Sequence, residues 1–253
     1  MPELSVIIPA YNEESRLPST LESVFQFLTK RGRSFEIIVV DDGSLDHTME
    51  LVESFASKVN GSVGEVRLIS YSPNQGKGYA VRVGMMAARG DYLLFDDADG
   101  ASPIEEVSRL LDAIAGGADV AIASRAKPDP TRKVNALAHR KFIGNTFNAI
   151  VQSLLLPGIY DTQCGFKLFK RKVGQDLFSV NWTDGFAFDV EILYIARLRH
   201  YKVEEVAINW TNVEGSKVKV LTDSPRMFVD VMAILVRSLT GQYGRLPRER
   251  TPR

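Results

Sequence analysis

The 253 residues carry 31 Lys plus Arg against 31 Asp plus Glu, a formal net charge of zero that gives no electrostatic case for binding nucleic acid. The apolar fraction of 45% and charged fraction of 25% are those of an ordinary globular protein, and the single cysteine, Cys164, excludes an intramolecular disulfide. The longest unbroken apolar run, 231–236, is far short of the ~20 residues that span a bilayer. Met-Pro-Glu leads directly into an apolar run, so no signal peptide is expected, and the chain reads as soluble or peripheral to a membrane.

Residues 4–10 (LSVIIPA) predict a strand, and 13–30 a helix with Leu17, Leu21, Val24, Phe25 and Leu28 on one face. A second strand is expected at 35–40 (FEIIVV), followed by a helix from about Asp46 and a third strand at 66–71. The Asn74-Gln75-Gly76-Lys77-Gly78 turn opens a helix to Ala88, and 92–95 is a fourth strand. A helix at 103–115 and a strand at 118–123 complete an alternation that predicts an α/β fold. Its sheet would be Rossmann-like and mostly parallel, with helices on both faces.

Beyond Ser124 the alternation stops. Residues 125–133 hold two prolines and four basic side chains, the composition of a mobile loop. Helices are expected at 138–156, 188–198 and 225–240, with short strands at 166–169 and 203–210. The organisation predicted is one domain at 1–222, a nucleotide-binding half ending near 124 and an acceptor half from 125. An amphipathic helix at 223–240 and a basic tail at 241–253 follow.

The chemistry is concentrated at 91–99, Asp-Tyr-Leu-Leu-Phe-Asp-Asp-Ala-Asp. An apolar strand ends there in three carboxylates, Asp96, Asp97 and Asp99, where loops of an open α/β sheet converge on ligands. Asp97 and Asp99 alternate, so on extended backbone they would face one way and hold a hard divalent cation with positions left for phosphate oxygens. Asp-x-Asp alone also suits an acidic turn or a helix cap. Two further acidic strand ends, Tyr11-Asn12-Glu13-Glu14 and Asp41-Asp42, would crowd negative charge at the same edge. An aromatic ring at Tyr11 could stack on a base, and Asp42 could accept a uracil N–H. No Walker loop is present, and Gly76-Lys77-Gly78 is too short for a dinucleotide fingerprint.

IIPAYNEE, VVDDGS, NQGKGYA, the DAD triplet and Ser124-Arg125 resemble the inverting nucleotide-sugar transferases of the GT-A fold, glycosyltransferase family two. DTQCGFKLF (161–169), AFDVEILYIA (187–196) and NWTNVEGSKV (209–218) closely resemble dolichyl-phosphate glucose synthases, which are akin to the mannose synthases. The resemblance covers about residues 3–240. It implies a donor pocket from Pro9, Ala10, Tyr11, Glu13, Val40, Asp42, Gly76, Lys77, Asp97 and Ala98. It places Mg2+ or Mn2+ on Asp97 and Asp99, with Asp99, Arg125 and Arg140 in the catalytic group. Arg125, Arg132, Arg140 and Lys141 would receive the acceptor. The partners implied are UDP-glucose and a polyprenyl (dolichyl) phosphate. Mannose synthases carry Gln two residues after the second Asp of the triplet, where this chain has Ala101, which favours glucose and leaves the metal's third protein ligand open.

GDP-mannose or another UDP-sugar as donor, transfer to a soluble hydroxyl acceptor, and a nucleotide-sugar scaffold without catalysis are the alternatives. A hydroxyl acceptor needs a general base, whereas a lipid monophosphate is already an anion. Asp189 and Glu191 lie where hydroxyl-using relatives keep that base, and here an orienting or helix-start role is expected. Cys164 reads as a packed, inert thiol. The segment 226–239 is apolar around nearly its whole circumference, with Arg226, Asp230 and Arg237 in one stripe. That helix, with 138–156, predicts a surface for a membrane or for self-association as a homodimer, and the chain is expected in the cytoplasm at the cytoplasmic face of a membrane.

Overall fold

A computed structural model describes residues 1–61, 64–135, 151–213 and 220–244. Among them, five strands follow the predicted alternation: β1 (Leu4–Ala10), β2 (Phe35–Asp41), β3 (Gly64–Ser70), β4 (Tyr92–Asp96) and β5 (Val120–Ser124). The helices between them are α1 (Leu17–Arg31), α2 (Thr48–Val59), α3 (Lys77–Ala87) and α4 (Val107–Ala115), the last preceded by a 3-10 turn at Ile104–Glu106. Helix α1 begins four residues later than its apolar spacing suggested. Asn12 adopts φ 53°, turning the chain after β1, and Pro18 takes the first helical turn, where a missing N–H costs nothing.

The second half supplies β6 (Val134–Asn135), β7 (Phe166–Lys170), β8 (Val203–Ala207) and β9 (Trp210–Thr211), with helices α5 (Arg171–Val180), α6 (Phe188–Leu198) and α7 (Val220–Leu239). The principal sheet runs β3-β2-β1-β4-β7-β5-β8. Only β7 is antiparallel to its neighbours, inserted between β4 and β5. That insertion is what carries the second half into the site, because the turn before β7 lands beside the end of β4.

Two sequence expectations are corrected here. The strand predicted at 203–210 is two strands, because β8 pairs with β5 while Trp210 and Thr211 turn away to pair with β6. Helix α5 was not predicted at all; its polar residues Arg171, Lys172, Gln175 and Asp176 dilute the apolar repeat of Val173, Leu177 and Phe178. The helix expected at 138–156 lies outside the described residues except for its end, which is helical at 151–154.

Alternate residues of the strands feed two separate cores. Ile7, Ile38, Val40, Leu93 and Phe95 pack with α3, α5, α6 and the inner face of α7. Val6, Ile8, Ile37, Val39 and Leu94 pack with α1, α2 and α4. Strands buried on both sides explain the unbroken apolar runs, and they leave the strand ends as the place where polar chemistry is exposed.

Candidate active site

The parallel order β2-β1-β4 sets three acidic strand ends side by side. Much of the first two is spent on building the rim. Asn12 Oδ1 accepts the Leu45 N–H at 2.7 Å, and Ser44 Oγ accepts the Asn12 N–H at 2.9 Å. Glu14 accepts the His47 N–H, while Asp46 accepts the Glu14 N–H. The two loops are thereby sewn together, with Tyr11 left on the surface.

Asp42 is buried, and its carboxylate clamps the loop before α3. It accepts the N–H groups of Gln75 (2.7 Å) and Gly76 (2.9 Å) and the Asn74 amide (2.8 Å). Burial pushes its pKa up, and the Gln75 and Gly76 N–H groups oppose that shift. Asp42 therefore shapes the donor-side loop by its own hydrogen bonds. Gly76 sits at φ 106°, and a Cβ there would lie 2.5 Å from the Asp184 carbonyl, so only glycine lets this loop meet 183–185. Pro9, Ala10, Val40 and Ala98 are buried, and the side chains of Ala10, Val40 and Ala98 belong to the two cores beneath the strand ends.

Strand β4 ends at Asp96, and a turn follows at 98–99 with Gly100 at φ 66°. Asp97 and Asp99 thus meet across a turn rather than alternating along extended backbone, as the spacing alone had suggested. Asp99 Oδ1 accepts the Ala101 N–H at 3.1 Å, and its Oδ2 lies 3.9 Å from Arg16 Nη1. Asp97 Oδ1 is 2.6 Å from Lys77 Nζ, and its N–H bonds the Gly165 carbonyl at 2.9 Å. A Cβ on Gly165 would fall 1.9 Å from Asp97 Oδ2, so the glycine of DTQCGFKLF is the cradle of this carboxylate.

Asp96 is buried, and its Oδ1 has no hydrogen-bond partner among the described residues. Burial, then the charges of Asp97 and Asp99, push Asp96 well above the ordinary carboxylate range. Burial and Asp97 likewise raise Asp99, against the pull of Ala101 N–H, Lys77 and Arg16. Burial works to lower Lys77, but the charges of Asp97 and Asp189 outweigh it and raise the ammonium. This is a short-range excess of carboxylate, the electrostatic setting in which a divalent cation is favourable. Carboxylate oxygens of the kind Asp97 and Asp99 supply suit a hard divalent cation. Among the described residues no group of three His, Cys, Asp or Glu forms a self-sufficient metal cage.

The second-half charges are arranged differently. Asp161 takes Arg125 in a bidentate pair, Nε to Oδ2 at 2.7 Å and Nη2 to Oδ1 at 2.9 Å, and also accepts the Arg125 N–H. Burial opposes both ions, yet the partner's charge raises Arg125 and lowers Asp161. Arg125 Nη1 lies outside that pair, the guanidinium rests over Trp210, and the Ser124 hydroxyl caps the chain at Ala126 and Lys127. Arg132 lies 3.7 Å from Asp129, which also accepts the Thr131 N–H, so 129–132 is a bonded turn at the surface. Arg140 and Lys141 lie outside the described residues.

Asp189 is paired with Lys167 at 2.5 Å, both side chains buried. Burial raises Asp189, against Lys167 and Lys77. Glu191 accepts from Asn181, the Trp182 and Thr183 N–H groups and Tyr243. Both carboxylates are thus engaged by partners within the protein. Burial pushes the Cys164 thiol up to about 12, so it stays protonated and inert. Arg16, Gly165, Lys167 and Asp161 were not singled out from the sequence. Only the i, i+3 spacing of Glu13 and Arg16 hinted at one of them.

The family model described as Glycosyl transferase family 2 matches residues 5–178. A Dictyostelium discoideum protein named dolichyl-phosphate beta-glucosyltransferase is 40% identical over 249 residues, 94% of this chain and 75% of that protein. The proteins of that name from Homo sapiens and Saccharomyces cerevisiae are 37% and 39% identical, covering 95% of this chain and 77% and 76% of their own lengths. Among solved structures, a glucosyl-3-phosphoglycerate synthase from Mycobacterium tuberculosis, in complex with Mn2+, UDP-glucose and phosphoglyceric acid, superposes with TM-score 0.69 at 19% identity. That match covers 98% of this chain and 82% of the other, and it establishes a shared GT-A architecture.

Proposed function

The chain belongs to glycosyltransferase family 2, and on that premise we propose that it moves glucose from UDP-glucose to dolichyl (polyprenyl) phosphate. The products are the inverted, β-linked lipid-phosphate glucose and UDP. The observation that carries this reading is the contrast between Asp189, held by buried Lys167, and the cluster at the end of β4, where three carboxylates share two cations. A hydroxyl acceptor needs a base free to take its proton. A phosphate acceptor arrives ionised and needs only to be brought past a second anion.

Asp97 and Asp99 would hold a divalent cation, Mg2+ or Mn2+, whose charge would offset that of the donor diphosphate. Tyr11 offers its exposed ring to the base, and the Asp42-clamped loop forms the floor beside it. Arg125, held by Asp161, keeps Nη1 for a phosphate oxygen. The relatives named for dolichyl phosphate support the acceptor, and a structural neighbour solved with UDP-glucose and Mn2+ supports the donor and metal.

The lipid is met at the cytoplasmic face of a membrane, with α7 as the contact. Its Met227, Val231 and Ile234 are buried, whereas Phe228, Val229, Met232, Val236 and Leu239 are exposed. Among the described residues no helix is long and apolar enough to cross a membrane, so this face would lie along the interface. A second copy of the chain is the competing occupant.

The test uses radiolabelled UDP-glucose and GDP-mannose with dolichyl phosphate, with and without chelator, followed by organic extraction. Label entering the lipid phase from UDP-glucose alone, and only with metal, is expected. Label from GDP-mannose, or label that stays in the aqueous phase, contradicts the proposal.

A further inference from the structure

Each of the two proposed metal carboxylates already has an organic cation beside it. Lys77 Nζ sits 2.6 Å from Asp97 Oδ1, and Arg16 Nη1 lies 3.9 Å from Asp99 Oδ2. The two cations reach the cluster from opposite sides of the sheet end, Lys77 from the first residue of α3 and Arg16 from just before α1.

Neither cation is saturated by this arrangement. Arg16 is held by Glu13 through Nε at 2.7 Å and through Nη2, leaving Nη1 buried without a hydrogen-bond partner among the described residues. A buried N–H donor left open is costly, and this one faces a charged cleft where an anionic acceptor would satisfy it. Lys77 has Asp97 as its ion-pair partner and otherwise lies over the Phe95 ring, 5.3 Å from its centre. An ammonium carries three donors, and its flexible stem allows it to change partner.

We propose that Arg16 and Lys77 are exchangeable counter-ions: in the free protein they neutralise Asp99 and Asp97, and on donor binding they turn to the diphosphate. The inference rests on the reading of Asp97 and Asp99 as the metal site, and adds a reason for the metal and the nucleotide to bind as one unit. While Lys77 and Arg16 occupy the carboxylates, a lone divalent cation competes with two resident charges. A nucleoside diphosphate supplies oxygens for both cations, so each is released from its carboxylate without being left unpaired. The carboxylates, the cations and the ligand exchange partners with no bare charge at any stage.

Exchange of this kind is a coupling free energy between two ligands and is reciprocal. Mn2+ should tighten UDP binding by the same factor as UDP tightens Mn2+ binding. The experiment is calorimetric titration of the full chain with MnCl2 alone, with UDP alone, and with UDP at saturating Mn2+. In Lys77→Met, Mn2+ alone should bind about tenfold tighter, UDP with Mn2+ more weakly, and the coupling factor should fall by about tenfold or more. Lys77→Arg should restore most of the coupling. Arg16→Gln, which loses the open donor and keeps the helix start, should reduce coupling in the same direction and serves if Lys77→Met does not fold. A coupling factor unchanged from wild type in Lys77→Met and Arg16→Gln overturns the inference. Failure of the wild-type chain to bind Mn2+ in the presence of UDP, or Mn2+ binding unaffected by Asp99→Asn, overturns the metal reading instead.

Discussion

Two groups of carboxylates, one on each half of the chain, are paired in opposite ways. Asp161, Asp189 and Glu191 in the second half are held by Arg125, by Lys167, and by five donors including Arg237 respectively. Asp96 at the end of β4 and Asp97 and Asp99 beyond it share two cations, and one Asp96 oxygen has no partner among the described residues. Burial alone therefore does not mark a functional acid. What distinguishes the site is three neighbouring carboxylates sharing two cations, a local excess of negative charge that favours a cationic ligand.

The largest effect on stability belongs to the second-half group. Asp189→Ala leaves Lys167 charged and buried, and should cost about 3–5 kcal/mol. Chemical denaturation measures this directly. A loss below about 1 kcal/mol would place Asp189 with the carboxylates at the end of β4 and reopen a catalytic role for it.

A smaller and pH-dependent loss is expected at Asp161. Arg125 holds this carboxylate below its ordinary range. Its contribution is therefore complete above the unfolded pKa of about 3.9 and disappears as pH falls through the lower folded value. Asp161→Asn should lose about 2–3 kcal/mol at neutral pH, the lower end for a buried pair because Arg125 is partly exposed. The difference from wild type should narrow only below pH ~4. A gap that is constant with pH, followed by melting temperature across that range, would show that the ion pair is not its source.

The same division separates what the sequence makes legible from what only the fold decides. The apolar runs at 4–10, 35–40 and 92–95 announce strands buried on both sides, and DDAD directly after the last marks the site. Arg16 and Lys77 are legible as charges, but which carboxylate each faces depends on how α1 and α3 pack on the sheet. Gly165 looks like a turn glycine until antiparallel β7 brings it under Asp97. Lys167 reads as one more strand lysine, since nothing local says that Asp189 will lie 2.5 Å away. Long-range pairing of charges is set by topology, and the insertion of β7 between β4 and β5 has no signature in spacing.

Asp99→Asn brings both sides of the comparison into a single protein. The substitution keeps size and the Ala101 hydrogen bond while removing a charge that burial and Asp97 already disfavour. Its rate of glucose transfer from UDP-glucose to dolichyl phosphate, and its melting temperature without ligands, are measured on the same preparation. Transfer should fall by roughly 10²–10³-fold, the scale of losing one preorganised electrostatic group, while the melting temperature stays level or rises. Retained transfer, or lost transfer explained by a lower melting temperature, would contradict the account.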